Sequence, residues 1–87
     1  MPHTPIALWL DERNTPRRLV WSGERYRVSD SPTRLPELVA EWATHPPRGA
    51  LGGGWRFQAT TLGGDCRVFD VRLDTARDEW VLVHTYV

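Results

Sequence analysis

The sequence lacks lysine, carries a single cysteine and contains no long apolar run. Arginine supplies every basic charge, eleven against eleven Asp and Glu, so the formal net charge is zero. Neutrality argues against a general binder of nucleic acid or anionic membranes, but it permits a locally basic face. One cysteine excludes an internal disulfide, and no stretch approaches the ~20 apolar residues of a membrane span.

Signals for export, metal binding and catalysis are also missing. The first residues lack the basic-then-apolar order of a secretory signal, so we expect a cytoplasmic protein. The histidines and Cys66 show no ligand spacing, so we expect no metal or other cofactor. Cys66 with His84 is the only economical pairing of a nucleophile and a base, and no nucleophile elbow is present. We therefore expect that the chain is not an enzyme.

The length of 87 residues predicts one small domain, because two cores would each be too small to be stable. Residues 1–5 are expected to form a loose end, and residues 48–54 a Gly-rich connection. Five Trp, two Tyr and two Phe supply large side chains for the core of so short a chain.

Alternating apolar and polar residues predict most of the strands. Residues 17–22 and 24–29 flank Gly23 and predict a hairpin. Residues 55–60, 68–73 and 79–86 predict a meander of three strands, and residues 6–10 a first strand or an arm over the core. Strict alternation in the last strand places Trp80, Leu82, His84 and Tyr86 on one face, with Val81, Val83 and Val87 on the other.

One helix is predicted within residues 31–45. Ser31 or Thr33 can act as its N-cap, and an apolar stripe recurs at helical spacing. The stripe consists of Leu35, Leu38, Val39 and Trp42. The predicted fold class is therefore α+β: a bent antiparallel sheet of five to six strands, a half-open small barrel, with one α-helix packed on it.

The predicted core combines the inward strand positions with the helix stripe. It comprises Leu19, Trp21, Tyr26, Val28, Leu35, Leu38, Val39, Trp42, Trp55, Phe57, Phe69, Val71, Leu73, Trp80 and Leu82.

Three surfaces are candidates for function. The leading hypothesis is a non-catalytic module that binds a protein or a second copy of itself, because the last strand is apolar on both faces at Val81, Val83 and Val87. The second is a weak nucleic-acid surface on outward strand positions. Its residues are Arg25, Arg27, Arg56 and Arg72, and Arg17 or Arg18 is a further candidate for the same surface. A solvated face is the simpler interpretation, and an exposed Trp among these arginines would favour binding. The third is a small-ligand or enzymatic cleft near Trp42, Trp80 and His84.

Two motifs carry a resemblance to a known family. They are a hairpin with the sequence Trp21-Ser-Gly-Glu-Arg-Tyr-Arg-Val28 and a closing strand with the sequence Trp80-Val-Leu-Val-His-Thr-Tyr86. With the Trp-bearing helix between them, this pattern resembles a small domain of unknown function that is commonest in actinobacteria. Relatives occur with Y-family translesion DNA polymerases. The resemblance covers residues 17–87 and implies an accessory binding module without catalytic residues.

Overall fold

The computed structural model describes residues 4–36 and 51–86, which form eight β-strands. All pairings between these strands are antiparallel, in a strongly bent sheet that forms a half-barrel. In chain order the strands are β1 Thr4–Pro5, β2 Ala7–Leu10, β3 Pro16–Trp21, β4 Glu24–Val28, β5 Thr33–Leu35, β6 Leu51–Thr60, β7 Cys66–Asp74 and β8 Glu79–Tyr86.

The strand order places the two N-terminal strands at opposite ends of the sheet. The order is β1-β8-β7-β6-β4-β3-β2, and β5 pairs with β6 beside this path. Ile6 lies between β1 and β2, and its backbone N–H donates to the carbonyl oxygen of Trp80 at 3.1 Å. One short segment, residues 4–10, therefore pairs with β8 at one end of the sheet and with β3 at the other.

The predicted α+β class is wrong, because the described residues are all-β. Thr33, expected at the start of a helix, begins strand β5 instead, and Arg34 and Leu35 lie opposite Trp55 and Gly54 of β6. The guanidinium of Arg34 stands 5.4 Å from the centre of the Trp55 ring. Pairing with β6 thus outweighs the local N-cap pattern. No helix, and so none long and apolar enough to cross a membrane, occurs in the two described ranges.

The remaining part of the predicted helix, including Leu38, Val39 and Trp42, lies outside the described residues. Two segments that were expected to lack regular structure also belong to the sheet. Thr4 and Pro5, expected to be loose, pair with Leu82 and Val81. Residues 51–54, assigned to a Gly-rich connection, begin the ten-residue strand β6. The described sheet therefore has eight strands rather than five to six.

The hairpin and the C-terminal meander are confirmed, and so is most of the predicted core. The buried cluster consists of Leu19, Tyr26, Phe57, Ala59, Phe69, Val71 and Leu82. Half-buried side chains pack around it: Ile6, Leu8, Trp21, Val28, Trp55 and Trp80. Phe69 packs edge-on against Trp21 and Tyr26, the aromatic geometry that favours contact between ring edge and ring face. Leu35 and Leu73 are half-buried, and Ala59 was not predicted.

A bulge in β8 changes which side chains share a face. Asp70 lies opposite His84 and Val71 lies opposite Leu82, so Val83 is the extra residue. Trp80 and Leu82 point to the core, whereas His84 and Tyr86 point to the opposite face. The prediction that all four share one face is therefore wrong, because strict alternation does not continue through a bulge.

Candidate functional site

The hairpin of β3 and β4 fixes the position of the arginines on its outer face. Ser22 and Gly23 both have positive φ, 53° and 77°, as a two-residue type I′ turn requires. The turn sets Leu19 opposite Tyr26 on the inner face. The neighbouring pair along the two strands is Arg18 opposite Arg27. Burial of Leu19 and Tyr26 therefore forces both arginines toward solvent.

Strand β2 adds an aromatic side chain to this outer face. Trp9 lies directly opposite Arg18 in the β2–β3 pairing, and 52% of its surface is exposed. A bulge follows, because Leu10 pairs with Pro16, and Arg17 is the extra residue. We define the arginine face as Trp9, Arg17, Arg18, Arg25 and Arg27. All five side chains are exposed.

Three guanidinium groups of the arginine face have no partner within the described residues. The side chains of Arg18, Arg25 and Arg27 make no hydrogen bond and no ion pair with any of them. Like charges directly opposite each other on neighbouring strands destabilise a sheet, so the pairing of Arg18 with Arg27 costs stability. No ion pair among the described residues offsets this cost.

Nearby carboxylates have other roles. The side chain of Asp11 accepts hydrogen bonds from the backbone N–H groups of Arg13 and Thr15, at 2.8 and 3.0 Å, and so stabilises the β2–β3 turn. These bonds, with a smaller contribution from the charge of Arg17, lower the pKa of Asp11. Asp30 accepts a bond from the N–H of Gln58. Neither carboxylate forms an ion pair with Arg18 or Arg27.

Two hollows border the indole of Trp9. The first, of about 270 Å³, is also lined by Arg18 and Arg25. The second, of about 440 Å³, is lined by Trp9 with Arg17, Arg18 and Arg27. A planar ring can therefore lie beside the indole while remaining within reach of a guanidinium.

The other two predicted arginines, Arg56 and Arg72, are separated from the arginine face and already have partners. Thr60 lies opposite Arg27, and Arg56 is four residues further along β6, about 13 Å at the usual strand rise. The guanidinium of Arg72 donates to the carbonyl oxygens of Pro36 and Gly52, at 2.7 and 3.0 Å. The structure thus keeps Arg25 and Arg27 together and sets Arg56 and Arg72 apart.

Arg56 belongs to a second group, the Asp70 cluster, defined as Arg56, Asp70, His84 and Tyr86. Arg56 donates two hydrogen bonds to the buried carboxylate of Asp70, at 2.7 and 2.8 Å, and the Tyr86 hydroxyl donates a third at 3.1 Å. Hydrogen bonding by Arg56 lowers the pKa of Asp70 against the opposing effect of desolvation. The same bonds raise the pKa of Arg56. The cluster joins β6, β7 and β8 across one row of the sheet.

The predicted apolar interface on β8 is only partly available. Val81 is 3% exposed within the single chain, and Val83, the bulged residue, is half-buried. Val87 lies outside the described residues. The doubly apolar strand therefore has less surface in need of a partner than the sequence indicates.

The predicted cleft residues do not converge in the structure. Trp80 packs against the core, whereas His84 contacts Tyr86 on the opposite face, with ring centres 4.2 Å apart and ring planes tilted by 45°. Trp42 lies outside the described residues. Cys66 accepts a hydrogen bond from the Gln58 amide and lies four residues from Asp70, the partner of His84, about 13 Å along β7. Within the described ranges no three His, Cys, Asp or Glu side chains form a potential metal site.

Sequence reasoning missed Trp9 as a surface residue. The run in residues 6–10 indicates burial, and only the register against β3 separates inward Leu8 from outward Trp9. Leu8 lies opposite the buried Leu19, and Trp9 lies opposite Arg18. The alternation of polar Arg18 with apolar Leu19 on β3 was the sequence signal from which the outward position of Trp9 could have been inferred.

Comparison with known proteins identifies no relative. No family model matches the chain, and no match was found among curated proteins or solved structures. The resemblance to the actinobacterial domain stays a prediction.

Proposed function

We propose that this chain is a non-catalytic binding module whose arginine face binds the phosphate backbone of a nucleic acid. The observation that carries the proposal is the set of three unpartnered guanidinium groups, Arg18, Arg25 and Arg27, on adjacent strands around an exposed Trp. Guanidinium groups match phosphate oxygens in a bidentate geometry and are readily desolvated. A phosphate between Arg18 and Arg27 would relieve their mutual repulsion.

This proposal has more support than the protein-partner hypothesis from the sequence. The hypothesis of a protein interface was based on apolar side chains of β8 that need a partner. It has less support because Val81 is already buried within one chain. The arginine face instead meets the condition set from the sequence for Arg25 and Arg27, because the exposed Trp9 lies on the same outer face. Arg56 and Arg72, which belonged to the same condition, lie apart from Trp9. Because the whole chain is neutral, long-range attraction is small, and we expect weak binding with Kd of about 10⁻⁴ M at physiological salt.

Titration with nucleic acid at several salt concentrations tests the proposal. Each neutralised phosphate contributes about −0.7 to the slope of log K against log salt on a single strand, so three arginines predict a slope of about −2. Arg18→Gln should weaken binding and make the slope shallower by about 0.7. Binding that does not depend on salt, or no binding at low salt, would contradict the proposal.

A charge reversal provides a sharper test and a matched control. Arg18→Glu places a carboxylate opposite Arg27, so we expect loss of binding together with a gain in stability of about 0.5 kcal/mol. In an 87-residue domain this corresponds to a rise in Tm of roughly 2–4 °C. The control is Arg77→Gln, an exposed arginine in the β7–β8 turn whose side chain has no hydrogen bond or ion pair among the described residues. This control should leave both binding and Tm unchanged.

A further inference from the structure

We infer that the arginine face selects single-stranded nucleic acid, with one base stacked on the indole of Trp9 and the flanking phosphates held by Arg18 and Arg27. The inference rests on the proposed function and specifies its ligand class. It follows from the arrangement of Trp9, Arg18 and Arg27 in one row across three neighbouring strands. Two strand spacings, about 10 Å, separate the ends of this row.

Trp9 differs from the other tryptophans of the described residues. Trp21, Trp55 and Trp80 are half-buried and pack against the core. Arg67 and Arg34 cover the rings of Trp21 and Trp55, at 5.4 Å in both cases. The Trp9 indole has no aromatic or cationic neighbour of this kind among the described residues and remains 52% exposed. Its ring is therefore free to contact a ligand.

The chemistry around the indole favours an unpaired base. Aromatic side chains stack on bases of any sequence, because every base offers a flat π face. The hollow lined by Arg18 and Arg25 and the hollow lined by Arg17 and Arg27 give a planar ring room beside the indole. In a duplex the base faces are covered by their neighbours, so only phosphates would meet this surface. A single strand can satisfy both the arginines and the indole.

Three probes separate the contributions of base and phosphate. They are an oligothymidylate of about eight nucleotides, a blunt duplex of similar charge and inorganic polyphosphate, each titrated at the same low salt. We expect the oligothymidylate to bind most tightly and to quench Trp fluorescence. Trp9→Ala should weaken its binding roughly fivefold to 100-fold, the usual range for loss of one stacked base. The affinity of the same variant, Trp9→Ala, for polyphosphate should differ from that of the parent chain by less than twofold.

A conservative variant keeps the test independent of folding. Trp9→Phe retains a flat ring, so it should recover most of the oligothymidylate affinity while Tm stays close to that of the parent chain. Equal loss of oligothymidylate and polyphosphate binding in Trp9→Ala, or tighter binding of the duplex, would overturn the stacking inference and leave the phosphate site intact. Failure of all three probes to bind in a salt-dependent way would overturn the proposed function itself.

Discussion

Arg18 and Arg56 both lie on outward strand positions, but their surroundings give them opposite roles. Asp70 faces Arg56 across the β6–β7 pairing, and its carboxylate accepts two hydrogen bonds from that guanidinium. Arg27 faces Arg18 across the β3–β4 pairing, where like charges repel. Arg56 therefore stabilises the sheet, and Arg18 reduces its stability. Alternation in the sequence places both outward but does not reveal the residue on the neighbouring strand.

The Asp70 cluster predicts how stability depends on pH. The pKa of Asp70 in the folded chain lies below its ordinary value of 3.8, chiefly because Arg56 donates to the charged carboxylate. Its contribution to stability is therefore present above pH ~4 and is lost as the pH falls through the lowered pKa. Asp70→Asn should cost about 1–2 kcal/mol at neutral pH, toward the lower end for such bonds because Arg56 is half exposed.

Chemical denaturation at pH 7 and at successively lower pH measures this effect. The difference in unfolding free energy between the parent chain and Asp70→Asn should shrink as Asp70 becomes protonated. The control is Glu24→Gln, which changes an exposed carboxylate of β4 that has no hydrogen bond or ion pair among the described residues. The unfolding free energy of Glu24→Gln should lie close to that of the parent chain at pH 7. A difference that stays constant down to the lowest pH would contradict the role of Asp70.

At the scale of elements, β6 shows why a glycine run can belong to a strand. A Cβ at Gly54 would collide with the carbonyl oxygen of Val71 and lie 2.7 Å from Cγ of Arg72. Glycine therefore allows β7 to approach closely enough to pair. Gly54→Ala should destabilise the fold by about 1–3 kcal/mol, the usual cost of overpacking.

Gly63 provides a matched control for Gly54. It lies in the turn between β6 and β7, and a Cβ there would meet nothing closer than the Thr61 hydroxyl at 3.8 Å. Gly63→Ala should change the unfolding free energy by less than about 0.5 kcal/mol. Urea denaturation of both variants measures the difference, and equal effects at the two glycines would show that close approach at Gly54 is unimportant.

The elements that sequence patterns predicted are those governed by local alternation. Tyr26 between Arg25 and Arg27, and Phe57 between Arg56 and Gln58, indicate strands with one buried face, and the structure has them. The failures have long-range causes. The Thr33 segment pairs with β6, roughly twenty residues further along the chain, and no local N-cap pattern reveals this pairing.

The residues of the candidate site likewise separate into those that local alternation predicts and those that depend on long-range strand pairing. Arg25 and Arg27 were predicted because they flank the buried Tyr26 on one strand. Trp9 depends on pairing between β2 and β3, and the separation of His84 from Trp80 depends on the bulge at Val83. A bulge is set by the packing of two strands together, and alternation in one strand cannot locate it.

At the scale of the whole molecule, residues 4–10 connect the two ends of the sheet. Thr4 and Pro5 pair with β8, and Ala7 and Leu8 pair with β3. The exposed edges that β3 and β8 would otherwise present are thereby covered over these lengths. Ile6 lies between the two pairings, is half-buried against the core and donates its N–H to Trp80.

This arrangement predicts that one substitution at Ile6 weakens both ends of the sheet together. Ile6→Ser removes an apolar contact with the core and should cost about 1–3 kcal/mol. Hydrogen exchange should then accelerate at paired amides of both β3 and β8, because the same segment covers both. Ala7→Ser, at an exposed position one residue further on, should leave exchange nearly unchanged. Acceleration confined to one of the two strands would mean that residues 4–10 do not couple the ends of the half-barrel.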